Sequence, residues 1–240
     1  MKPLNQVLNL LCRILGTVLF VSCAGPAMQP PETTVPPQET VAAPSLPSSS
    51  GGDLLAKLYV LQTVPGVVAK GTISLRNTAS VKEGSFKLTI AGETMSMEIS
   101  SKGFKIGEII LRDNTVSMNP RLKDEYLEYM FAVILRDSVT WWNITGYQLV
   151  SHEASYVLRN SWKKVYISRQ NLTPDRQVIR MMNFKAVEVQ YASPRDYGFA
   201  VLPANIRFSY EGYECVLDID RMAVKDAFRE SGGRDQSQPS

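Results

Sequence analysis

The sequence has few of the residues from which metal sites and nucleophilic active sites are usually built. Among its 240 residues it has a single histidine, His152, and three cysteines. His152 and Cys215 have no further ligand at the spacing of a metal site, and no Ser or Cys motif supplies a nucleophile. Since the pattern lacks both kinds of chemistry, we expect no metal, no other cofactor and no enzymatic activity.

One acidic cluster needs a separate explanation. Glu211, Glu214, Asp218 and Asp220 lie close together in the sequence, as the paired carboxylates of a hydrolase do. Period-two alternation, however, predicts that they occupy the solvent face of a final β-hairpin. We therefore interpret them as surface charges.

The chain also lacks a strong excess of either charge. Its formal net charge is +3. Lys2 and Arg13 are the only charged residues before Cys23, so that removal of residues 1–22 would leave +1. Nucleic-acid binding usually requires a basic stripe, which this balance does not provide.

The N-terminal apolar run is too short to cross a bilayer. Residues 14–21 would span about 12 Å as a helix, against a bilayer core of roughly 30 Å. A run of this length is typical of a signal peptide, here residues 1–22. Ser22, Cys23 and Ala24 follow it and resemble a lipobox, which predicts lipid attachment at Cys23. The alternative is an ordinary secretory signal that happens to contain a cysteine.

Cleavage before Cys23 would leave one free thiol in the chain. Cys12 would be lost with the signal peptide and Cys23 would be acylated, so that only Cys215 could react. An intramolecular disulfide is then impossible, even in an oxidising compartment. The fold must depend on its apolar core.

The following segment, residues 23–52, has the composition of a tether. Residues 24–52 contain seven of the fourteen prolines and no aromatic residue. Such a sequence buries too little apolar surface to offset its ordering, so we expect a disordered linker. Ala24 follows the anchor cysteine. In enteric-type bacteria an Asp at this position tends to retain a lipoprotein in the inner membrane. By resemblance to that sorting rule, Ala24 favours the outer membrane. The domain would then face the periplasm.

A folded domain is predicted over residues 53–230, followed by a polar tail over 231–240. Asp53 is a candidate N-cap for a short first helix, and an acidic N-terminal turn begins a second helix at Asp124–Arg136. Elsewhere apolar residues alternate at period two. Five strands are expected between residues 71 and 118, and seven more at 147–150, 155–158, 163–167, 177–181, 186–191, 206–210 and 215–220.

These elements define a single α+β domain. Eleven or twelve antiparallel strands form too large a sheet to stay flat, so we expect it to curl around the helices. Curling buries one face and leaves a concave apolar interior.

Several segments resemble the LolB family of outer-membrane lipoprotein receptors. They follow the family's order along the chain: residues 71–75 (GTISL), 102–111 (KGFKIGEIIL), the acidic helix leading to Trp141 and Trp142, 202–206 (LPANI) and 216–219 (VLDI). The resemblance extends from about Leu54 to Lys225. It implies an unclosed half-barrel with a helical plug or lid, and a cavity for acyl chains.

The resemblance also implies a membrane-inserting loop. An apolar residue at the tip of the corresponding LolB loop touches the membrane, and Phe104 would have this function here. Ile106 and the basic residues Lys102 and Lys105 would support it near anionic headgroups. Alternatively, Phe104 folds back onto the edge of the sheet.

An acyl-chain cavity needs apolar and adaptable walls. The candidate lining residues are Phe86, Leu88, Met95, Met97, Ile99, Met118, Met130, Ile134, Trp141 and Trp142. Each of them could equally well belong to an ordinary packed core.

Three functions are compatible with these features. The first is a LolB-like receptor that accepts acylated lipoproteins from a LolA-like periplasmic carrier and inserts them into the outer membrane, whose inner leaflet would hold its own anchor. The second is a lipid-binding or envelope-assembly lipoprotein of the same fold. The third is a scaffold whose interior is filled by its own side chains. We expect a monomer in each case.

Overall fold

The computed structural model describes residues 49–181 and 185–225. The predicted signal peptide, Cys23, most of the linker and the tail at 231–240 lie outside these ranges. No helix in the described ranges is long and apolar enough to cross a membrane. Two α-helices and one antiparallel sheet of twelve strands make up the described part of the chain.

The helices are α1 (Gly51–Gln62) and α2 (Glu125–Val139). The strands run in chain order: β1 (Val67–Arg76), β2 (Val81–Ala91), β3 (Thr94–Ser101), β4 (Phe104–Arg112), β5 (Thr115–Asn119), β6 (Gln148–Ser151), β7 (Ser155–Arg159), β8 (Lys163–Ser168), β9 (Pro174–Arg180), β10 (Ala186–Asp196), β11 (Val201–Tyr210) and β12 (Tyr213–Val224).

The sheet is open and almost entirely sequential. Its spatial order is β5-β4-β3-β2-β1-β12-β11-β10-β9-β8-β7-β6, so that only the β1–β12 pairing joins strands distant in sequence. The two edges, β5 and β6, do not pair with each other. This curved half-barrel with a helical plug is the fold class that the sequence predicted.

Tight turns set the register of several hairpins. Lys102 and Gly103 both have positive φ angles (51° and 84°), as do Glu211 and Gly212 (48° and 84°). Two consecutive residues of this kind form the turn whose twist suits a two-residue hairpin. The turn signals in the sequence therefore lie where strands reverse.

The second helix fills the concave face of the sheet. Asp124 caps it by accepting a hydrogen bond from the backbone N–H of Leu127 at 2.8 Å. One helix face, including Leu127, Phe131 and Ile134, is buried, because apolar residues recur there at helical spacing. The ring of Phe131 lies 5.3 Å from that of Phe208 on β11. The plug thus packs into the same core as the sheet.

The first helix begins earlier than the sequence predicted. Its N-cap is Ser50, whose hydroxyl accepts a hydrogen bond from the Asp53 N–H, while the Asp53 carboxylate accepts one from the Ser50 N–H. The assignment of Asp53 as N-cap was wrong, because its carboxylate completes this capping box from the third helical position. The first two helical residues consequently fall within the predicted linker.

Strands β9, β10 and β11 are longer than predicted. β9 begins at Pro174, while β10 and β11 extend to include Pro194 and Pro203, which face each other across the pair. In a sequence, a proline argues against a strand assignment, because it has no N–H to donate to the hydrogen-bond ladder of a central strand. The strands predicted from alternation therefore left these prolines out.

Candidate functional site

The apolar face of the half-barrel narrows to a cavity at one end of the sheet. We define this end as the rim, formed by residues 77–80 between β1 and β2, Lys102-Gly103 between β3 and β4, and Glu211-Gly212 between β11 and β12. The cavity beneath it has a volume of about 130 Å³ and is called the rim cavity. Its lining comes from β1, β2, β3, β4, β5, β12, α2 and residues 120–122, which join β5 to α2.

Apolar side chains form most of the rim cavity wall: Ile73, Leu75, Ile99, Ile106, Ile109, Met118, Leu122, Phe131 and Tyr213. Polar and basic groups come from residues near the ends of strands and from the β5–α2 connection, namely Arg76, Asn77, Ser80, Lys82, Asn119 and Arg121. The cavity is therefore amphipathic, with its charged groups where the chain turns and its apolar groups within the sheet.

A β-bulge turns Ile106 towards this cavity. Ile99 on β3 faces Gly107 on β4, whereas the next residue, Ser100, faces Lys105. Ile106 is thus the extra residue on its strand, and bulges of this kind redirect side chains. Both Ile106 and Gly107 line the cavity, although neighbours in a regular strand would point to opposite faces.

Phe104 stands out from the rim without a covering side chain. Its side chain is 76% exposed, while Ile106 is 42% exposed and Val81 on the next hairpin is 52% exposed. Phe104 pairs with Ser101, which alternation places on the concave side with Ile99. Of the two arrangements considered from sequence, the structure has the exposed one, and Phe104 does not fold back onto the sheet edge.

The two basic residues of the predicted membrane loop differ in their surroundings. Lys102 occupies the turn itself and is exposed. Lys105 donates a hydrogen bond to Glu108 at 2.7 Å, and this carboxylate raises the pKa of the lysine. Lys105 is thus already paired with an acid on its own strand, and Lys102 is the more accessible cation.

The predicted cavity residues divide into three groups. Ile99 and Met118 line the rim cavity. Trp142 lines a second space of about 470 Å³ at the other end of β1 and β2, between the end of α1 and residues 140–147. The remaining seven are buried in the main core cluster: Phe86, Leu88, Met95, Met97, Met130, Ile134 and Trp141.

The lysine and arginines at the rim cavity were missed by the sequence interpretation. A signal was present for Lys82, because alternation along β2 places it on the same face as the buried Phe86 and Leu88. For Arg121 no local pattern existed, since it approaches the cavity from the segment before α2, whereas alternation along β1 places the Arg76 side chain on the outer face, opposite Leu75.

The final-hairpin carboxylates lie on the solvent side, as alternation predicted. Glu214 approaches Arg76 at 3.8 Å and Arg207 at 3.7 Å, and Asp218 accepts a hydrogen bond from Asn205. The buried residues of β12, Cys215, Leu217 and Ile219, alternate with them on the concave face. These acids therefore belong to the outer surface of the sheet.

Comparison with known proteins gives structural neighbours only. No family model and no curated protein sequence matches this chain. A LolA superfamily protein from Nitrosomonas europaea is similar in structure, with 11% identity, a TM-score of 0.48, and coverage of 75% of this chain and 95% of that one. A DUF1329 family protein from Desulfovibrio piger has 13% identity, a TM-score of 0.46, and coverage of 75% and 95%.

The coordinates define the class of protein: an open antiparallel half-barrel, plugged by one helix, with an amphipathic cavity beside the exposed apolar side chains of Phe104 and Ile106.

Proposed function

We propose that this protein is a lipid-anchored receptor of the outer membrane that binds the acyl chains of lipoproteins and helps to insert them into that membrane. The observation that supports this function best is the position of the rim cavity beside exposed apolar side chains. Ile106 lines the cavity and is itself partly exposed, and Phe104 lies two residues away. An acyl chain leaving the cavity would contact an apolar surface before it was exposed to water.

The driving force for such a transfer is apolar burial. An acyl chain has no hydrogen bonds to offer, so it moves towards whichever site removes most of its surface from water. An exposed Phe104 can partition into the bilayer interface and bring the cavity to the lipid. The receptor then needs no covalent step, since carrier, cavity and bilayer compete for the same apolar group.

The rim cavity is too small to hold a complete acyl chain in its present form. Its volume of about 130 Å³ is below the ~300–1,000 Å³ usual for ligand pockets. Met118 and Phe131 form part of its wall, and a thioether side chain can adopt several shapes at low cost. We therefore propose that a chain enters with its end first, and that these side chains move to admit the rest.

The membrane contact of Phe104 can be tested by Phe104→Glu. Because the side chain is exposed, the variant should fold normally, but transfer of an acylated protein from a loaded LolA-like carrier to membranes should fall about tenfold. The measurement uses the full chain in proteoliposomes, with an unfolding transition recorded to confirm the fold.

Tyr59→Glu is the matched control. Tyr59 is 73% exposed but lies on α1, away from the rim, so the same change of charge should leave transfer unaffected. Equal transfer by the native chain and Phe104→Glu would show that the rim does not contact the membrane. If the native chain took no acylated protein from the carrier, a lipid-binding lipoprotein without a sorting function would be the better assignment.

A further inference from the structure

We propose that the rim cavity selects acyl chains that end in an anionic head, such as a fatty-acid carboxylate or the phosphate of a lysophospholipid. This inference rests on the proposed function in one respect, namely that the cavity accepts an acyl chain. It adds a preference for an anionic head group, which the neutral acyl group of a lipoprotein lacks.

The charges that line the cavity are all of one sign. Among the described residues, Lys82 and Arg121 contribute to the lining, with Arg76 at its outer edge, and no aspartate or glutamate does so. The cations lie near the turn between β1 and β2 and just before α2, whereas Ile109 and Phe131 form wall within the sheet and the plug. A ligand with an apolar tail and an anionic head matches this division.

The two arginines already have carboxylate partners. Arg121 approaches Glu125 at 3.3 Å and Glu128 at 3.2 Å, and Arg76 approaches Glu214 at 3.8 Å. Both arginines remain largely exposed, with side-chain exposures of 64% and 62%. Arg121 can reinforce an anion at the cavity entrance, although part of its charge is compensated, whereas Arg76 pairs with Glu214 on the outer face of the sheet.

Lys82 is the cation whose charge is available. Within residues 49–181 and 185–225, no carboxylate lies within ion-pair distance of its ammonium group. Its strand position faces Leu75 of β1 and shares the concave face with Phe86. A cation on the apolar face of a sheet, without an acid beside it, is placed to receive an anion from a ligand in the cavity.

The expected contribution follows from the strength of one charged contact. A charge-assisted hydrogen bond near an apolar wall is stronger than a neutral one, and a gain of ~1.4 kcal/mol corresponds to a tenfold change in affinity. An acyl chain with a carboxylate should therefore bind about tenfold more tightly than the same chain with a neutral ester.

cis-Parinaric acid and its methyl ester form a suitable pair of probes. Both are fluorescent when shielded from water, and they differ only in the charge of the head. Titration of the full chain, without vesicles, should show about tenfold tighter binding of the acid. Lys82→Gln should reduce this preference to about twofold and leave the affinity for the ester unchanged.

Lys87→Gln provides the control on the same strand. Lys87 is exposed on the opposite face of β2, between the buried Phe86 and Leu88, so the preference for the acid should persist in this variant. Loss of the preference in both variants would indicate a general effect of net charge and would overturn the assignment to the cavity.

The other outcomes separate the two proposals. If acid and ester bind equally to the native chain, the selection of an anionic head is wrong while binding of acyl chains stands. If neither probe binds, the acyl cavity itself is wrong. Competition against bound cis-parinaric acid by palmitic acid and by palmitoyl lysophosphatidylglycerol, which carry the same acyl chain, then distinguishes the sources, since stronger competition by the fatty acid identifies a carboxylate head and stronger competition by the lysophospholipid identifies a phosphate head.

Discussion

Individual residues show how far alternation can assign a side chain to a face. Lys82 and Lys87 lie on one strand and are both exposed, yet one lines the rim cavity and the other faces solvent. The period of two predicts this difference directly. It did not predict that Ile106 would line the cavity beside Gly107, because a bulge adds one residue to β4.

Lys57 is a residue whose chemistry only the folded chain reveals. Its ammonium group donates hydrogen bonds to the carbonyl oxygens of Leu172 and Val201, both at 2.8 Å. Burial nevertheless lowers the pKa of Lys57 from 10.5 to about 8. The cost of burying the charge thus makes the folded chain release its proton more easily than the unfolded chain.

This shift gives a pH dependence with a definite sign. Between about pH 8 and 10.5 the unfolded chain retains a proton on Lys57 that the folded chain has lost. The free energy of unfolding should therefore rise with pH through this window, and below pH 8 the contribution should be constant. In urea denaturation at pH 7.5 to 9.5, Lys57→Met should remove the rise.

Lys87→Met, a change at an exposed lysine, serves as the comparison for Lys57. It should follow the native chain at each pH. If the free energy of unfolding depended on pH in the same way for the native chain and for Lys57→Met, Lys57 would keep its ordinary proton affinity on folding. That result would contradict the prediction.

At the scale of elements, the second helix is fixed by polar contacts at its C-terminal end. The Asp137 carboxylate lies 2.9 Å from Arg136 and 3.3 Å from Lys163. The Tyr191 hydroxyl lies 3.0 Å from the Ser138 carbonyl oxygen and 2.5 Å from Gln177 Oε1. These buried groups join α2 to β8, β9 and β10, while its N-terminal half faces the rim cavity.

Removing one of these contacts should loosen the plug. Tyr191→Phe removes the one O–H donor beside two buried oxygens, and leaving a buried acceptor without its donor usually costs about 1–3 kcal/mol. We expect a loss of this size in the free energy of unfolding, measured by urea denaturation, with little change in the circular dichroism of the native state.

Tyr166→Phe is the matched substitution for Tyr191. Tyr166 packs beneath the guanidinium of Arg176 at 4.1 Å, and this contact uses the ring, which phenylalanine retains. It should cost less than about 0.5 kcal/mol, as surface changes usually do. Equal losses in the two variants would argue against the buried network as the cause.

For the whole molecule, the sheet encloses a single core that extends along most of its length. The main cluster contains residues from both helices and eleven of the strands, including Leu54 of α1, Leu88 of β2 and Leu158 of β7. Cys215 on β12 lies in this core and is fully buried. Burial also raises the pKa of its thiol, which suppresses the reactive thiolate.

The Cys215 thiol should report on global unfolding. In the lipidated chain it would be the one free cysteine, and it should not react with a thiol reagent under native conditions. In urea, its labelling should follow the same transition as the loss of far-ultraviolet circular dichroism. Rapid labelling in the absence of urea would show that the half-barrel opens locally at β12.

Much of this architecture could be predicted because alternation and helical spacing are local properties. The five-strand meander, the amphipathic second helix and the final hairpin all follow from side-chain order. The limits of β9, β10 and β11 could not be predicted in the same way, because the sheet tolerates Pro174, Pro194 and Pro203 at positions that only the pairing explains.

Local side-chain order was enough to predict the composition of each face, the order of the elements and the exposure of the final-hairpin acids, since each depends on neighbours along the chain. Only the packing of the folded chain established which apolar residues border open space and which fill the core. It also brought Lys82 and Arg121 to one cavity. Their encounter depends on curvature, on one bulge and on the seating of α2, which are properties of packing rather than of sequence spacing.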